Sequence, residues 1–484
     1  MTDILSEIST RTGGDVNIWI VFALAISCPI LLWTYFRSRA TVVIATTVGL
    51  LPIFARSKAL WVFEPYREYH GAWVQLGGLA VFGPILFAYL CARGRLTTGE
   101  FLRLLSMPAR GMYLLVGACL VTQLIVFSFW QGLIVTYCYV GINLIWFVLS
   151  VLAVKTVADA RLVLRGVLLA VVVSCILTMT TTTTPLPWNP LVAAEMLKEQ
   201  GHRLTDSLVF GGNNLSGPLF SSLLCLAPAA LAVENSAWRL VWLGSVLLLG
   251  RELILTGVRG GLLGVGCVGF YFLLRASRPT WRQWLLVCGV MVGGVFVFRA
   301  AFVEFVVPRF AEGVLGESAA ERFERASACL DGLASFPEII VGYGARSVEN
   351  YIPGVHNVHE GFLWVWTTCG LGGLIGFCIW LFGAMYQGIL LAVDRRTDSQ
   401  KGVVAIGLAG VIGAWCIAFV TTGGWFTGSD VPESYILLSV LVGALVGLSQ
   451  GSGPRQGAVV VGRAPATTRD VGRVGAVGAR GFAG

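Results

Sequence analysis

Residues His356 to Phe377 read "HNVHEGFLWVWTTCGLGGLIGF", a short polar start followed at once by a long apolar run. The run continues to about residue 392 and meets no charged residue before Asp394. About 20 apolar residues in a row are what the hydrocarbon core of a bilayer requires. The stretch therefore predicts a membrane-spanning helix that begins directly after two of the four histidines in the chain.

The composition extends this pattern to the whole chain. Of 484 residues, 56% are hydrophobic and only 12% are charged, whereas a soluble domain carries about 25% charged residues. Backbone polar groups cannot stay unpaired in lipid, so the apolar runs must be helices. We expect an all-α integral membrane protein with about 12–13 transmembrane helices. Candidate spans lie at roughly 17–36, 40–55, 71–91, 111–129, 131–154, 162–179, 214–234, 237–256, 259–274, 283–301, 361–392, 402–421 and 431–449.

The distribution of lysine and arginine predicts the orientation, because short basic loops stay in the cytoplasm. With 13 spans, the short basic loops all fall on one side, which places the N-terminus outside and the C-terminus inside. Residues 302–360 then form a large periplasmic loop. We expect three regions: an N-terminal transmembrane bundle (1–204), a membrane region containing this loop (205–449), and a disordered basic cytoplasmic tail (450–484).

The twelve cysteines fall almost entirely inside the predicted spans, and no Cys-x-x-Cys motif occurs. Such cysteines are typical of small apolar core residues, so we expect no metal site built from thiolates.

The loop at 302–360 contains a predicted amphipathic helix from about Ala319 to Leu333. Ser318 is the expected N-cap, with Glu321 completing a capping box. A helix of this kind would lie along the membrane surface and present Arg322 or Arg325 to a ligand beneath it. Its predicted apolar face consists of Phe323, Ala326, Cys329 and Leu330.

The two neighbouring histidines differ in their predicted environment. Asn357 is a good N-cap, with Glu360 three residues later, which puts His359 in the first turn of a helix. A helix N-terminus disfavours a protonated imidazole, so His359 should be neutral and able to accept a proton. The amide groups of that turn also suit phosphate. His356 precedes the predicted cap. The alternative is an interfacial histidine with local hydrogen bonds only.

A second polar group interrupts the apolar sequence "LLLGRELILTGVRGGLLGVG". Arg251 and Glu252 lie inside it, and Arg259 follows Glu252 after two helical turns, where the two side chains could pair. Charges at membrane depth are candidates for function. The alternative is an Arg–Glu pair that only holds helices together.

Two motifs of the second half of the chain place arginines in predicted extracytoplasmic positions. The first, "TGVRGG", carries Arg259 before a predicted span. The second, "RFERASACLDGLASFPEIIVGYG", carries Arg322 before Pro337, which is followed by Gly342 and Gly344.

A third motif follows, in which His359 precedes Leu363 by four residues and Gly370 by eleven. The stretch "FGGNN", which ends at Asn214, adds an asparagine at the start of an earlier span. In order and topology these motifs resemble the O-antigen ligase and O-antigen polymerase superfamily of bacterial glycosyltransferases, over roughly residues 205–390.

The resemblance implies a metal-independent, inverting glycosyltransferase of the bacterial inner membrane with its active site facing the periplasm. The donor would be a glycan on undecaprenyl diphosphate, and the acceptor would be lipid A–core for a ligase or a second lipid-linked repeat unit for a polymerase. It implies that His359 is the catalytic base and that Arg259 and Arg322 bind the pyrophosphate. No cofactor and no nucleic-acid partner is expected. Possible supporting residues are Arg325, His356, Asn214 and Glu252.

A transporter or flippase for polysaccharide precursors is the alternative of another class. Such proteins usually show internal repeats and polar breaks at the middle of the membrane. The sequence has no convincing repeat, and its polar residues gather at the predicted outer face.

Overall fold

Helices make up nearly all of the computed structural model. It describes residues 40–50, 62–63, 74–75, 83–88, 103–127, 129–181, 206–207, 211–256, 264–265, 317–333, 337–344, 361–394, 398–421 and 433–450. Two short antiparallel pairings join β1 (Val62–Phe63) to β2 (Val74–Gln75) and β3 (Asp206–Ser207) to β4 (Gly211–Gly212). The helices, in chain order, are α1 (Ala40–Gly49), α2 (Met107–Val126), α3 (Phe129–Thr136), α4 (Ile142–Ala153), α5 (Val157–Thr181), α6 (Asn213–Val233), α7 (Ser236–Thr256), α8 (Glu317–Gly332), α9 (Glu338–Val341), α10 (Gly361–Val393), α11 (Ser399–Thr421) and α12 (Glu433–Gln450). A π-helix at Tyr137–Gly141 makes α3 and α4 one continuous helical segment.

Apart from the two short strand pairings, nearly all the described residues are helical, as predicted, and most predicted spans coincide with helices to within a few residues. The span predicted at 71–91 differs: residues 83–88 are helical, but Val74–Gln75 form β2, so one helix cannot cover all of 71–91. Within the described ranges, three helices are long and apolar enough to cross a membrane: Met107–Val126, Gly361–Val393 and Ser399–Val420. The spans predicted at 17–36 and 283–301, and most of 259–274, lie outside the described residues. The total of 12–13 spans therefore stays a prediction.

The apolar run that we expected to form a single helix over 361–392 is interrupted at Gly370, where φ is 69° and ψ is −176°. This backbone conformation is essentially restricted to glycine. The longer piece, residues 371–393, extends about 34 Å and can still cross a bilayer core. We call the shorter piece, residues 361–369, the half-helix.

Close contacts between helices fix their relative directions. In α2 and α10, a Cβ on Gly376 would lie 2.7 Å from the carbonyl oxygen of Gly111, while Gln123 donates to the carbonyl of Thr368. Later residues of α2 thus meet earlier residues of α10, so the two helices are antiparallel. Small residues at such crossings let the backbones approach closely, as they do in membrane proteins.

Other helix pairs run in the same direction. Ser439 of α12 donates to Asn143 of α4 over 3.2 Å, and further along a Cβ on Gly447 would lie 2.5 Å from the carbonyl oxygen of Val154. Thr41 at the start of α1 likewise donates to Asp159 at the start of α5. Further antiparallel pairs complete the set of directions. Arg161 near the start of α5 donates to the carbonyl of Val233 at the end of α6, so these two helices are antiparallel. Helices joined by short connections are also antiparallel: α2 and the α3–α4 segment, α4 and α5, α6 and α7, and α10 and α11. Taken together, α1, α2, α5, α7 and α11 run one way, and α4, α6, α10 and α12 run the other way.

These directions agree with the alternation expected from the predicted spans. α1 and α2 are parallel, so an odd number of crossings must separate them, and the predicted span at 71–91 supplies one. α7 ends at the same end of the bundle at which α10 begins, so an even number of membrane crossings must lie between them. The spans predicted at 259–274 and 283–301 supply two.

Charged groups close one end of the bundle, which we call the basic end. Asp159 accepts hydrogen bonds from the backbone amides of Lys155 and Thr156. Arg165 of α5 donates to both carboxylate oxygens of Glu234, over 3.0 and 2.5 Å. Its guanidinium also lies 4.7 Å from the ring centre of Trp238. These contacts tie the start of α5 to the end of α6.

Candidate functional site

The opposite end of the bundle contains the region where α8, α9, the half-helix and the end of α2 meet, which we call the junction. Its centre is a small apolar cluster in which Cys329 and Leu333 of α8 are buried against Leu363 of the half-helix. Ala326 and Trp364 pack around them. α8 is thus attached to the first turn of α10.

The predicted amphipathic helix is confirmed, with two differences. It begins at Glu317, so Ser318 lies inside the helix and is not its cap. Leu330, which we expected on the buried face, is 47% exposed, whereas Leu333 is 1% exposed. The buried face follows the spacing Ala326, Cys329 and Leu333, because three and four residues bring side chains to the same side of a helix.

The helical register places Arg322 seven residues before Cys329, which is two turns along the same face or about 10 Å along the helix axis. His359 precedes Leu363 by four residues in the sequence. The contact between Cys329 and Leu363 therefore joins the chain segments that carry these two predicted site residues.

Most predicted site residues lie wholly or partly outside the described structure. Arg259, His356 and His359 are outside the described residues. Arg322 and Arg325 lie on α8 and Asn214 lies on α6, but only their backbone is described. The exception is Glu252, whose side chain is described in full.

Three glycines bring backbone segments together at the junction. Gly342 and Gly344 follow α9 with φ of 77° and 74°, and Gly370 interrupts α10 with φ of 69°. A Cβ on Gly342 would lie 2.6 Å from the backbone nitrogen of Gly370, and one on Gly344 would lie 3.0 Å from the side chain of Val126. A Cβ on Gly370 would overlap the carbonyl oxygen of Ile340. Side chains at these positions would separate α9 from α10.

Hydrogen bonds satisfy the backbone groups that the break exposes. The last carbonyls of a helix have no partner within the helix. At the end of the half-helix, the carbonyl of Thr367 accepts from the amide of Tyr343 over 2.6 Å. In return, the indole nitrogen of Trp366 donates to the carbonyl of Ile339 over 2.9 Å. The Tyr343 hydroxyl donates to the carbonyl of Gly332 at the end of α8.

Two buried side chains of α2 complete the junction. The Thr122 hydroxyl lies 2.6 Å from the carbonyl oxygen of Val341 in α9. The side-chain amide of Gln123 donates to the carbonyl of Thr368 over 3.4 Å. Both side chains are fully buried, at 1% and 0% exposure.

These contacts show that part of the predicted loop at 302–360 packs against the helix bundle. Thr122 precedes the end of α2 at Val126 by about 6 Å along the helix axis. The α9 segment, residues 337–344, therefore reaches inward to the last turn of α2. This approach is possible because the break at Gly370 leaves room for the backbone of α9 next to α10.

A buried ion pair lies on α7, where the sequence placed Arg251 and Glu252. Nη1 of Arg251 contacts Oε1 of Glu252, and the two side chains are 1% and 2% exposed. Cys175 of α5 is close enough to interact electrostatically with both. The sequence suggested that Glu252 and Arg259 could pair; Arg259 lies outside the described residues, and the described partner of Glu252 is its neighbour Arg251. An adjacent arginine can satisfy the carboxylate without a second helix.

Thr122, Gln123 and Tyr343 were missed by the sequence analysis. Thr122 and Gln123 could have been noticed in the sequence as two adjacent polar residues within an apolar helix. Over the described parts of the chain, no three His, Cys, Asp or Glu side chains are grouped as metal ligands would be. The seven cysteines described there are free thiols.

No protein-family model matches this chain, and no curated protein matches it either.

Proposed function

We propose that this chain is a metal-independent inverting glycosyltransferase of the O-antigen ligase type. It would transfer a glycan from undecaprenyl diphosphate to a hydroxyl acceptor, with lipid A–core as the first candidate acceptor, at the periplasmic face of the bacterial inner membrane.

One observation carries the proposal: the packing of Cys329 and Leu333 of α8 against Leu363 of the half-helix. α8 carries Arg322, and the half-helix begins two residues after His359. In the proposed reaction, the first segment supplies the cation Arg322 and the second supplies the base His359. Their attachment supports a shared site, because a catalytic base must be held near the phosphate-binding group for both to act on one substrate.

In the proposed reaction, the acceptor oxygen attacks the anomeric carbon while the bond from that carbon to the diphosphate breaks. The hydroxyl proton passes to His359, and the electron pair leaves with the lipid diphosphate. Arg259 and Arg322 stabilise the added negative charge through charge-assisted hydrogen bonds. Because there is a single displacement, the anomeric configuration inverts.

The buried pair on α7 has a supporting role in this scheme. Arg259 follows the end of α7 by three residues. Arg251 and Glu252 lie on α7 and neutralise each other inside the bundle, so α7 can be buried next to the segment that carries Arg259. Arg325, His356 and Asn214 remain possible supporting residues.

A polymerase with a lipid-linked repeat unit as acceptor would use the same chemistry. A glycolipid gel from a deletion strain distinguishes the two. Loss of all long chains on the core, together with accumulation of lipid-linked polymer, is expected for a ligase. Core carrying a single repeat unit would identify a polymerase.

A precursor flippase is the second candidate, favoured by the interruption of α10, because discontinuous helices form the substrate sites of many transporters. The break, however, lies nearer the end of α2 than its middle, because Gln123, three residues before the end of α2, donates to the carbonyl of Thr368 just before the break. Lipid-linked glycan that accumulates on the cytoplasmic side of the deletion strain would favour the flippase and contradict the transferase.

A further inference from the structure

The junction contains two side chains that the proposed reaction does not use, Thr122 and Gln123 of α2. Both are polar and fully buried in an apolar helix. A buried polar group without a partner is costly, so residues of this kind are found where another group needs them.

The groups that need them are carbonyls at two neighbouring helix ends. Val341 ends α9, and Thr368 comes immediately before the end of the half-helix. Their carbonyls lie in the last turn of a helix, where intrahelical partners are missing. Thr122 approaches the first and Gln123 donates to the second. One turn of α2 thus serves both ends.

Gln123 also touches the backbone beyond α9. A Cβ on Gly344 would lie 3.2 Å from Oε1 of Gln123. Its amide group therefore occupies the space between Gly344 and Thr368. Consecutive residues of one helix thus contact α9, the turn after it and the half-helix.

We propose that Thr122 and Gln123 are positioning residues, which hold α9 and the half-helix in register and so fix Arg322 relative to His359. This inference rests on the proposed function. α9 continues from α8 through Pro337 and through the bond from the Tyr343 hydroxyl to the Gly332 carbonyl. A shift of α9 along α2 would therefore be passed to α8 and to the start of α10 together.

The variants are Thr122→Val, which keeps the shape and removes the hydroxyl, and Thr122→Ser, which keeps the hydroxyl. Gln123→Met is a second disruptive variant at the neighbouring position. Thr136→Val is the matched control, because Thr136 is also buried and its hydroxyl donates within one helical segment, to Gly132 over 2.8 Å.

Steady-state kinetics of glycan transfer separate positioning from substrate binding. Thr122→Val and Gln123→Met are expected to lower kcat by about tenfold to a hundredfold, because small misplacements of reacting groups have effects of this size. The donor KM should change much less than kcat, since the position of Arg322 relative to His359 matters most in the transition state, where proton transfer and charge development coincide. Thr122→Ser should restore most of kcat, and Thr136→Val should leave it unchanged.

Hydrogen exchange measures the junction without reference to activity. Residues 337–344 and 361–369 are expected to exchange about five- to tenfold faster in Thr122→Val, as the loss of one hydrogen bond implies. Thr122→Ser and Thr136→Val should not show this increase. The melting temperature should change alike in Thr122→Val and Thr136→Val.

The outcomes are distinguishable. Unchanged exchange in Thr122→Val and Gln123→Met overturns the inference, and so does faster exchange with unchanged kcat. A wild-type protein that transfers no glycan overturns the proposed function and the catalytic part of this inference. In that case the exchange data still decide whether Thr122 and Gln123 hold the junction.

Discussion

The two ends of the helix bundle are held in different ways. At the basic end, the connection between α6 and α7 is short, and the side chains of Arg165 and Glu234 join α5 to α6 through a paired charge. At the junction, neutral groups hold the segments together: a hydroxyl from Thr122, the amide of Tyr343 and the close backbone approach at Gly370.

This difference suggests two roles for charged residues in the molecule. Those at the basic end pair with each other, whereas the arginines of the proposed site would contact a ligand. At the basic end, cation and anion neutralise each other, so the loss of either one leaves the other without its charged partner. At the junction, the described contacts that attach α8 and α9 involve no charged side chain. We therefore expect changes at the basic end to lower stability, and changes to the arginines near the junction to lower activity.

The predicted orientation places the junction on the periplasmic side and the basic end on the cytoplasmic side. Reporter fusions test this prediction with an all-or-none result. A reporter fused near residue 315 should be periplasmic, and one fused after Asp394 or in the tail after residue 450 should be cytoplasmic. The reason is the concentration of short basic loops on the basic-end side. A cytoplasmic reporter near residue 315 would reverse the two ends and remove the site from the periplasm.

Replacing the proposed base should have the largest effect on rate. General-base catalysis contributes roughly 10²–10⁴ in rate, so His359→Ala should abolish detectable glycan transfer. Expression and membrane insertion should persist. Transfer is measured with purified protein and a lipid-linked glycan donor.

His356→Ala is the matched control, because it removes the other histidine of the same segment. It should retain most activity, since His356 precedes the predicted cap. An inactive His356→Ala variant together with an active His359→Ala variant would make His356 the base and would contradict the predicted cap at Asn357.

Breaking the charged pair at the basic end should mainly affect folding. Glu234→Ala leaves Arg165 without its carboxylate partner, and the loss of one member of a buried pair destabilises by about 3–5 kcal/mol. Because the Arg165 side chain is 21% exposed, we expect the loss of stability to be about 3 kcal/mol or less. Unfolding in detergent measures the change, with Glu324→Ala on the exposed surface of α8 as control. Activity per folded molecule should be unchanged.

Replacing the arginines should show the opposite behaviour. Arg322→Ala and Arg259→Ala each remove a charge-assisted contact of roughly 1.5–3 kcal/mol, which lowers kcat/KM without loss of the fold. Lysine should restore activity only in part, because it cannot form the planar bidentate contact. EDTA should leave activity unchanged. Wild-type turnover by both alanine variants would assign these arginines to structure.

Gly370→Ala should destabilise the fold, with an effect centred on the junction. The backbone conformation at Gly370 is strained by about 1–3 kcal/mol for other residues, and the new Cβ would overlap the Ile340 carbonyl. Gly117→Ala in α2 is the matched control, because a Cβ there meets nothing within 4 Å. It should leave the protein equally or more stable. Equal melting temperatures of the two variants would contradict the described break.

The sequence predicted the helices well because their signal is local. Long apolar runs define α2, α10, α11 and α12 without reference to the rest of the chain. The spacing of Ala326 and Cys329 likewise predicted α8. Its buried face was placed wrongly, at Leu330 instead of Leu333, because the direction of that face depends on where Leu363 lies.

The break in α10 could not be predicted from the run itself. Several glycines occur between Gly361 and Gly376, and a helix could continue through each of them. Gly370 alone among them takes a positive φ because α9 approaches it from a distant part of the sequence. For the same reason Thr122 and Gln123 were not singled out, since their acceptors belong to α9 and α10.

The candidate site was predicted as a set of residues, and the structure describes its surroundings. The contact between Cys329 and Leu363 joins two of the predicted segments, while the roles of His359, Arg259 and Arg322 stay predictions. The pairing of Glu252 with Arg259 stays a prediction, since Arg259 lies outside the described residues, while the contact of Glu252 with Arg251 is described.

The hydroxyl of Thr122 lies within reach of two acceptors, the carbonyl of Val341 at 2.6 Å and the carbonyl of Ala118 in its own helix at 3.0 Å. If α9 moves away, the proton can turn to Ala118, so α2 is never left with an unpaired donor. The carbonyl that departs with α9 can bind water instead. Separation of α9 from α2 would therefore cost little free energy on the α2 side, because the hydroxyl keeps an acceptor in either arrangement.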